Sequence, residues 1–352
     1  MLDVSDPSLS LRVALVVSVV VAALFLKSRL NYLAIPKLRK PARARSTDCM
    51  VVIPARNEER SIARAIRSFP HDSVIVVDDH SEDRTAQTAR EAGAGVLEAP
   101  DLPRGAVGKS NACLAGARVL TSKWILFADA DTSYEPVILD AVVAHAETGD
   151  LAFLSIYPRP EGDTFSERLL APFATALYFS GVAPRRNSTA IFNGQGILVR
   201  RDAYEFVGTH GAVLSSLIED VKLAGLGLRH RLKFGVARAD DCGRVQFREP
   251  WRAVERAAFR FTMGNPAAGV TIMLATVSIA LWLPVLIWLL AVRHWLAAAV
   301  FALLPAMVTI SWYRDGRALL APLAIYWMLP IMCNGCLAAV TGRPVKWKGR
   351  VI

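Results

Sequence analysis

The sequence predicts an α/β domain with a largely parallel sheet, placed between membrane-spanning helices at both ends of the chain. Three observations lead to this prediction. Long uncharged apolar segments occur near both ends, short apolar strands alternate with helical patterns between them, and polar clusters follow several of those strands. Hydrophobic residues make up 53% of the 352 residues and the mean hydropathy is +0.33, both higher than in an ordinary soluble protein.

The first apolar segment is LRVALVVSVVVAALFL, residues 11–26. It carries no charge after Arg12 and is just long enough for a tilted or slightly short membrane helix. A cleaved signal peptide is the alternative, but no A-x-A-like cleavage site directly follows the segment. We therefore expect a retained anchor.

Three further apolar segments follow in the last quarter of the chain. The segment 269–292 is uncharged and long enough to cross a bilayer, so we expect one full-length helix there. The segments 295–312 and 318–342 are interrupted by proline, which membrane helices tolerate when neighbours satisfy the freed backbone groups. The sequence thus predicts late membrane segments at about 269–292, 295–312 and 318–342.

Basic residues cluster immediately after the first segment. They are Lys27, Arg29, Lys37, Arg39, Lys40, Arg43 and Arg45. Only Arg12 accompanies Asp3 and Asp6 on the other side, so the positive-inside rule places the amino terminus outside and the following residues in the cytoplasm. The net charge of +10 then reflects attraction to anionic headgroups, and we expect no nucleic-acid partner. An integral protein of a bacterial inner or plasma membrane is predicted, with a cytoplasmic central domain.

The basic tail at 343–352 conflicts with this orientation. If all three late segments cross the bilayer, the tail lies outside, against the same rule. Either one late segment is re-entrant or interfacial, or the rule fails at this end. The predicted divisions are 1–46 for the anchor and basic linker, 47–265 for the cytoplasmic domain, 266–342 for the late membrane segments and 343–352 for the tail.

Strand and helix patterns alternate through the central block. Apolar strands are predicted at CMVVIPA (49–55), SVIVVDD (73–79), GVLEA (95–99) and KWILFADAD (123–131). Helices are predicted at 57–69, 81–93 and 108–120, the last with small residues facing a close neighbour. This alternation predicts a parallel sheet that binds its ligands at the carboxyl ends of the strands.

Two acidic pairs and one polar cluster lie at those strand ends. They are Asp78–Asp79, Asp129–Asp131 and the run from Pro54 to Glu58. Paired carboxylates repel each other unless a cation lies between them, and no basic residue stands beside Asp129 and Asp131 in the sequence. Their hard oxygens suit Mg²⁺ or Mn²⁺, which also bind substrate phosphates. Alone, the motif could be a solvated aspartate-rich turn, but its convergence with the other clusters favours a metal site.

The run GAVGKS, residues 105–110, superficially matches a phosphate-binding P-loop. It follows a loop rather than a strand, and its first glycine is misplaced, which excludes that motif. No G-x-G-x-x-G run occurs either. The two commonest nucleotide-binding signatures are therefore absent from the sequence.

Six motifs in the central block occur in the order seen in family 2 glycosyltransferases. They are VVIPARNEE, VVDDHSEDRT, GKSNACLAGA, FADADTS, FNGQGILVRRDAYEFVG and IEDVKLAGLG. Together they cover about residues 50–260, so their match is more specific than any single motif. The chain resembles the inverting, membrane-bound branch that acts on lipids: hopanoid-associated, carotenoid-type and ceramide glucosyltransferase-like proteins. This resemblance implies the GT-A fold, a Rossmann-like mixed sheet with helices that binds a nucleotide-diphosphate sugar.

The resemblance also implies roles on the donor side. The residues concerned are Pro54, Arg56 and Glu58 for base and ribose, Asp78 and Asp79 for uracil, and Gly108 with Lys109 for the diphosphate. Asp131 would bind a divalent cation directly, and Asp129 would contact the ribose or a metal-bound water. The implied cofactor is Mg²⁺ or Mn²⁺, and the implied donor substrate is a UDP-sugar.

On the acceptor side, the resemblance makes Asp220 the catalytic base. The other residues implied to face the acceptor and sugar are Asn193, Gly194, Gln195, Gly196 and Glu219. We also expect Trp251 and Arg252 on the acceptor side, in an interfacial helix at the headgroups, with solvated surface as the alternative. Without the resemblance, Glu219 and Asp220 equally fit the first turn of a helix, where the macrodipole favours carboxylates. The role of His210 stays open.

The implied reaction is transfer of a hexose from a UDP-sugar to a lipid-like acceptor, with inversion at the anomeric carbon. A cation and a lysine would stabilise the leaving diphosphate, and an alcohol acceptor needs a carboxylate base. Two alternatives stay open: a polyprenyl-phosphate sugar transferase, and a non-catalytic membrane scaffold that keeps the fold. Polymer synthesis is disfavoured, because FREPW follows Gln246 where processive relatives carry x-x-R-W.

A lipid acceptor requires a site that opens toward the bilayer. Two stretches are expected to line that opening, residues 165–183 and 251–264, because both mix apolar and basic side chains. The alternative for the first stretch is a core helix of the central domain.

Overall fold

A single mixed sheet forms the centre of the α/β domain in the computed structural model. The structure describes residues 7–39, 47–181, 192–264, 266–313, 315–343, 346–347 and 350–351. The sheet has eight strands in the order β3-β2-β1-β4-β7-β6-β8-β5. These are β1 Cys49–Ala55, β2 Val74–Asp78, β3 Gly95–Glu98, β4 Trp124–Ala128, β5 Thr132–Tyr134, β6 Phe153–Glu161, β7 Gly196–Arg200 and β8 Phe234–Gln246. The four strands predicted from the sequence are confirmed.

Strand direction explains where the polar clusters meet. Strands β3, β2, β1 and β4 are parallel, with Val51 opposite both Val74 and Leu126. Strand β7 then runs antiparallel to β4, so its first residue, Gly196, lies opposite Ala128 at the carboxyl end of β4. The segments that follow β1, β2 and β4 therefore share one edge of the sheet with the segment that precedes β7.

Helices cover the two faces of this sheet. They are α2 Ile62–Arg67, α3 Thr85–Glu91, α4 Gly108–Arg118, α5 Ile138–Thr148, α7 Arg201–Phe206 and α8 Glu219–Arg229. The close neighbour predicted for α4 is strand β1: a Cβ on Gly116 would lie 2.5 Å from a methyl carbon of Val52. Only a glycine lets the helix approach the sheet this closely.

The first two helices are shorter than predicted. Residues 57–61 and 81–84 form interlocked loops instead of first helical turns. The backbone N–H of Asn57 donates to the Ser81 hydroxyl at 3.0 Å, and the N–H of Glu58 donates to the Thr85 hydroxyl at 2.7 Å. Asn57 also has a φ of +53°, which no α-helix accommodates. Side-chain acceptors from the neighbouring loop thus displace the helical hydrogen bonds expected from the sequence.

Further helices lie before, within and after the strands of the α/β domain in the chain. They are α1 Pro7–Leu33, α6 Phe165–Gly181, α9 Pro250–Gly264, α10 Pro266–Ala280, α11 Trp282–Ala291, α12 Trp295–Tyr313 and α13 Ala321–Thr341. Among the described residues, three helical stretches are long and apolar enough to cross a membrane: Ser8–Leu33, Trp295–Tyr313 and Gly316–Thr341. The first is longer than the predicted 11–26, because its last two turns continue into the basic region.

The predicted full-length helix at 269–292 was wrong, since the chain forms two shorter helices, α10 and α11, that meet at Leu281. Pro284 accounts for the break: it has no N–H to donate to the carbonyl of Ala280, four residues earlier. The Tyr326 hydroxyl of α13 donates to that carbonyl at 2.7 Å and accepts the N–H of Leu283 at 3.0 Å. One side chain therefore satisfies both backbone groups that the proline disrupts.

Helix α6 joins the membrane helices to the α/β domain. Near its middle, Phe173 packs against Phe25 of α1 with ring centroids 5.8 Å apart. Near its end, Phe179 is fully buried in the core of the α/β domain and contacts Tyr157. The segment is thus a core helix at one end and part of the membrane-helix cluster at the other; residues 182–183 of the predicted stretch lie outside the described residues.

Candidate functional site

Five of the predicted site residues come together where β4, α4, β7 and α8 meet. The Lys109 ammonium lies 2.7 Å from Oδ1 of Asp129 and 3.2 Å from Oε1 of Glu219. It also donates to the carbonyl of Gly194 at 3.2 Å. The N–H of Gly194 donates to Oδ2 of Asp220 at 2.9 Å. We call Lys109, Asp129, Gly194, Glu219 and Asp220 the charged cluster.

Lys109 is held in its charged form by this cluster. Burial lowers the pKa of its ammonium, but the carboxylates of Asp129 and Glu219 more than offset that effect, so the net pKa is raised. The ammonium therefore stays positive at neutral pH. Three carboxylates beside one ammonium leave a net negative charge, so a phosphate would bind here together with a divalent cation.

Asp220 is held in place at the start of α8 by two backbone donors. Its Oδ2 accepts the N–H of Gly194, and its Oδ1 accepts the N–H of Val221 at 2.9 Å. Glu219 begins the same helix, and both acids are buried. The two sequence interpretations of this acidic pair are therefore compatible, because the carboxylates lie in a first helical turn and also face the charged cluster.

Gly194 is the point of closest approach between backbone and charged groups. A Cβ placed on it would lie 2.9 Å from the Lys109 ammonium and 3.2 Å from Oδ2 of Asp220. Its neighbours are fixed from both sides: the N–H of Asn193 donates to the Ser155 hydroxyl at 2.8 Å, and the Gln195 carbonyl accepts the N–H of Asp129 at 3.2 Å. The segment that ends at Gly196 thus ties the end of β4 to the first turn of α8.

Asp129 and Asp131 lie in the tight turn that follows β4. The Thr132 hydroxyl and N–H both donate to the Asp129 carbonyl, and the Asp131 carbonyl accepts the N–H of Gln246 at 3.0 Å. The sequence argument that these carboxylates lack a basic partner was wrong for Asp129, because Lys109 reaches it from α4. Sequence adjacency did not reveal this partner, since it is twenty residues away in the chain.

The donor set at this turn fits a hard divalent cation. Carboxylate oxygens from two residues are available without histidine or cysteine, a composition that suits Mg²⁺ or Mn²⁺. No group of three or more His, Cys, Asp or Glu side chains that could hold a metal was found among the described residues. Protein ligands would therefore supply only part of the coordination shell, and water or substrate oxygens would complete it.

A second predicted group lies at the carboxyl ends of β1 and β2. Arg56 donates to the carbonyl of Asp79 at 2.7 Å and to that of His80 at 3.0 Å. The Asp79 N–H donates to the Ala55 carbonyl at 2.8 Å, and the Asp78 Oδ2 accepts the N–H of Ser81 at 3.2 Å. The hydrogen bonds from the Arg56 guanidinium therefore hold the loop after β2 in place. The two aspartates lie at the same edge of the sheet as the charged cluster.

The remaining predicted residues are placed around these two groups. Pro54 occupies the sixth position of β1, and the Glu58 carboxylate accepts the Ser61 hydroxyl at 2.6 Å beside it. Gly108 is the buried first residue of α4, one position before Lys109. Trp251 and Arg252 instead lie on the exposed first turn of α9, where Arg252 pairs with Glu249 at 3.2 Å.

Two tyrosines beside the cluster were not predicted from the sequence. The Tyr157 hydroxyl of β6 donates to the Tyr178 hydroxyl of α6 at 2.6 Å. Burial raises the pKa of both phenols, and the negative charge of nearby Asp220 adds to the increase. Isolated aromatic residues in a strand and a helix give no sequence signal of such a pair, because their meeting depends on tertiary packing.

His210 also lies near the charged cluster. It is 2% exposed, and its Nδ1 lies 2.7 Å from the Tyr204 hydroxyl, which also accepts the His210 N–H at 3.0 Å. Burial lowers the pKa of His210 to about 4. The negative charge of Glu219 partly opposes this decrease, and the positive charge of Lys109 adds to it. The imidazole is therefore neutral at neutral pH, and its tautomer decides which group donates in the contact between Nδ1 and the Tyr204 hydroxyl.

Comparison with known proteins finds similarity in the α/β domain. Residues 50–208 match the model of glycosyl transferase family 2. A 4,4'-diaponeurosporenoate glycosyltransferase from Staphylococcus haemolyticus is 31% identical over 211 residues, which cover 56% of this chain and 56% of that protein. The enzyme of the same name from Staphylococcus aureus is 30% identical over 185 residues, or 49% of each chain. The match thus spans only about half the length of these curated relatives.

Among solved structures, a mannosyltransferase from Pyrobaculum calidifontis in complex with GDP-Man and Mn²⁺ has a similar fold. The superposition has a TM-score of 0.55 at 16% identity and covers 95% of this chain and 99% of that one. At this identity the likeness concerns the fold, which is a GT-A mixed sheet with apolar helices near both ends. Together with the family match over residues 50–208, which is less than half of the chain, it supports a glycosyltransferase of family 2.

Proposed function

We propose that the chain transfers a hexose from a UDP-sugar to a lipid-like acceptor in the membrane, with inversion at the anomeric carbon and dependence on a divalent cation. The observation that carries the proposal is the charged cluster, in which Lys109, Asp129, Glu219 and Asp220 meet around the backbone of Gly194. A fixed cation and a fixed carboxylate held by the carbonyl and the N–H of one glycine suit leaving-group stabilisation and proton removal in a single step.

On the donor side, Lys109 stabilises the charge that builds on the departing diphosphate. Its ammonium is already positioned by Asp129 and the Gly194 carbonyl, so little reorganisation is needed when the phosphate oxygens arrive. Asp131 and Asp129 would hold the divalent cation, Mg²⁺ or Mn²⁺, which when bound neutralises further charge on that leaving group. Asp78 and Asp79 bind the uracil at the end of β2, and Pro54, Arg56 and Glu58 shape the loop that holds the ribose.

On the acceptor side, Asp220 takes the proton of the attacking hydroxyl. An alcohol has a high pKa, so a positioned carboxylate contributes typically 10²- to 10⁴-fold to its attack. One base and one direct displacement produce inversion. The hydrogen bonds from Gly194 and Val221 fix the orientation of the Asp220 carboxylate toward the segment 193–196, where the sugar ring would lie.

The lipid-like nature of the acceptor rests on two supports. The curated relatives are named for diaponeurosporenoate, and helix α6 connects the α/β domain to apolar helices that are long enough to cross a membrane. A rival proposal, sugar transfer to a polyprenyl phosphate, uses the same donor site but an acceptor that is already ionised. Loss of Asp220 separates a hydroxyl acceptor from an ionised one, either a phosphate or a carboxylate such as diaponeurosporenoate, because only the hydroxyl needs the base.

The proposal is tested by incubating membranes that contain the protein with radiolabelled UDP-sugars and identifying the labelled lipid by mass spectrometry. We expect one lipid product of inverted anomeric configuration, no product in EDTA, and none from Asp131→Ala. Transfer that continues undiminished in EDTA would remove the cation from the proposal. Labelled polymer instead of a lipid product would reject the acceptor class.

A further inference from the structure

An apolar cavity of about 70 Å³ lies between the helices next to the charged cluster. Helices α6, α9, α10 and α13 form its walls, and three methionines, Met273, Met328 and Met332, line it. Met328 and Met332 are buried, Met273 is half-buried, and the neighbouring lining residue Ala257 is exposed. The cavity is therefore apolar inside and reaches the outer surface of the helices at Ala257.

The inner end of the cavity adjoins the charged cluster. Tyr178 lines the cavity with its ring, and its hydroxyl accepts a hydrogen bond from Tyr157 at 2.6 Å. Tyr157 stands on β6 two residues after Ser155, whose hydroxyl donates to the Asn193 carbonyl beside Gly194, and the negative charge of Asp220 adds to the raised pKa of both phenols. Tyr178 thus lies between the apolar cavity and Asp220, the carboxylate that removes the acceptor proton. A molecule with an apolar body and a polar end would fit this order of groups.

The surroundings of the cavity indicate where its occupant comes from. On the helices that form the walls, large apolar side chains face outward, among them Leu274 of α10, which is 64% exposed, and Leu337 of α13, which is 57% exposed. Outward apolar surface of this kind contacts lipid rather than water. A nucleotide-sugar is too polar for such a space, whereas apolar cavities remain dry and bind apolar ligands.

Methionine walls favour a chain of adjustable shape. The methionine side chain is unbranched and polarizable, and it accommodates irregular apolar partners better than leucine or isoleucine does. An acceptor chain that stays in this space and the adjoining bilayer is not transferred into water. That transfer costs about 0.8 kcal/mol per methylene group.

From these observations we infer that the cavity holds the first few carbons of the acceptor's apolar chain, so that the polar end meets Asp220 beside Tyr178 while the rest of the chain passes Ala257 into the bilayer. The inference rests on the proposed function, to which it adds a binding site and a selection rule. Acceptors are selected by a chain that fits between α6, α9, α10 and α13, and not by recognition of the headgroup alone.

A photoreactive probe tests the site directly. The full-length protein in liposomes is irradiated with a C16 alcohol that carries a diazirine at its third carbon, next to the polar end, and the modified peptides are mapped by mass spectrometry. We expect modification of the α13 peptide that contains Met328 and Met332, with competition by unlabelled C16 alcohol. Modification confined to outward residues such as Leu337 and Leu274 would overturn the inference.

A pair of matched variants tests the mouth of the cavity. Ala257→Trp places a large ring at an exposed lining position, and Ala299→Trp places the same ring at an exposed position of α12 that does not line the cavity. We expect at least a tenfold loss of modification at Met328 and Met332 for Ala257→Trp only, with unchanged UDP affinity in both variants. Equal modification in the two variants would contradict the inference.

Failure of the inference is distinguishable from failure of the proposed function. If sugar transfer to a lipid occurs while the probe modifies only outward residues, the cavity assignment is wrong and the function stands. If the probe enters the cavity but the protein transfers no sugar to any lipid, the chain binds an apolar molecule there for another purpose, and the acceptor assignment is wrong.

Discussion

At the residue scale, the charged cluster depends on a backbone position without a side chain. Gly194 donates to Asp220 and accepts from Lys109, so the same peptide segment positions the cation and the base. Neither residue reveals this arrangement in the sequence, because Lys109 and Asp220 are more than a hundred residues apart. Substituting the glycine perturbs both partners at once.

We predict that Gly194→Ala lowers kcat about 10- to 100-fold with little loss of stability. The added methyl would lie 2.9 Å from the Lys109 ammonium and 3.2 Å from Oδ2 of Asp220, and both side chains have to move. Gly225→Ala on α8 is the matched control, because no atom lies within 4 Å of its added methyl. The measurement is the steady-state turnover of both variants, and thermal unfolding checks that both are folded. Equal activity of the two variants would contradict this role for Gly194.

A second residue-scale prediction concerns the pH dependence of stability. The pKa of His210 is lowered by burial to about 4 from an unfolded value of about 6.5. The unfolded chain therefore binds the extra proton first as the pH falls, so the stability contributed by neutral His210 is present above pH 6.5 and lost toward pH 4. Between pH 7 and pH 5 this loss amounts to about 2 kcal/mol.

The variant His210→Gln tests this account. Glutamine keeps a polar side chain near Tyr204 but does not titrate, so we expect its thermal midpoint to fall less between pH 7 and pH 5 than that of the wild type. The measurement is thermal unfolding of the detergent-solubilised protein at both pH values. Parallel curves for the two proteins would exclude His210 as the source of the pH dependence.

At the scale of elements, the sequence was sufficient for the strands and insufficient where tertiary contacts decide. Strand β4 was predicted because a short unbroken apolar run such as WILFA fits a buried strand. All five of its residues are buried in the structure. Residues 57–61 were predicted as the first turn of a helix but form a loop. The reason is that the Ser81 and Thr85 hydroxyls accept hydrogen bonds from the backbone N–H groups of Asn57 and Glu58. The break at Leu281 was missed because the segment is long and uncharged, and Pro284 was taken as tolerable within one helix.

The break between α10 and α11 leads to a third prediction. Tyr326→Phe removes the hydroxyl that satisfies the carbonyl of Ala280 and the N–H of Leu283, and an unsatisfied buried backbone group costs roughly 1–3 kcal/mol. We expect a clear fall in the thermal midpoint of the solubilised protein.

Pro284→Ala provides the second arm of this test. Alanine restores an N–H that can donate to Ala280, so the Tyr326 hydroxyl is no longer needed there. Tyr326→Phe should therefore be nearly neutral in the Pro284→Ala background. Equal losses of stability in both backgrounds would show that the tyrosine does not act through the helix break.

At the scale of the whole molecule, the helix ends suggest a solution to the conflict over the basic tail. The carboxyl end of α12 lies beside that of α1, where the Trp312 and Tyr32 rings are 5.1 Å apart and the Tyr32 hydroxyl reaches Asp240 of β8. The carboxyl end of α13 also approaches the α/β domain, because Ala338 packs in one cluster with Phe259 of α9 and with Leu217, which lies just before α8.

The topology follows as a fourth prediction. If α1 and α12 end on the side of the α/β domain, the broken pair α10–α11 crosses the bilayer, and α13 is the re-entrant or interfacial segment. The tail then lies in the cytoplasm with the linker, as the positive-inside rule requires. The connection between α11 and α12 lies on the opposite side.

Cysteine labelling checks this arrangement in intact cells. Arg39→Cys and Thr341→Cys should resist a membrane-impermeant thiol reagent until lysis, whereas Trp295→Cys should react from outside. All three positions are exposed, and labelling is scored above the background of native Cys333. External labelling at Thr341→Cys would make α13 a full crossing, and external labelling at Arg39→Cys would reverse the whole orientation.

The central claim, hydroxyl-directed sugar transfer with Asp220 as the base, is tested most directly by the turnover of Asp220→Asn. Its matched control is Asp202→Asn on the exposed surface of α7. With the lipid product identified, we expect Asp220→Asn to lose 10²- to 10⁴-fold in kcat while its UDP affinity stays unchanged, and Asp202→Asn to behave as the wild type. Retention of most of the turnover by Asp220→Asn would contradict the account and indicate an acceptor that is already ionised.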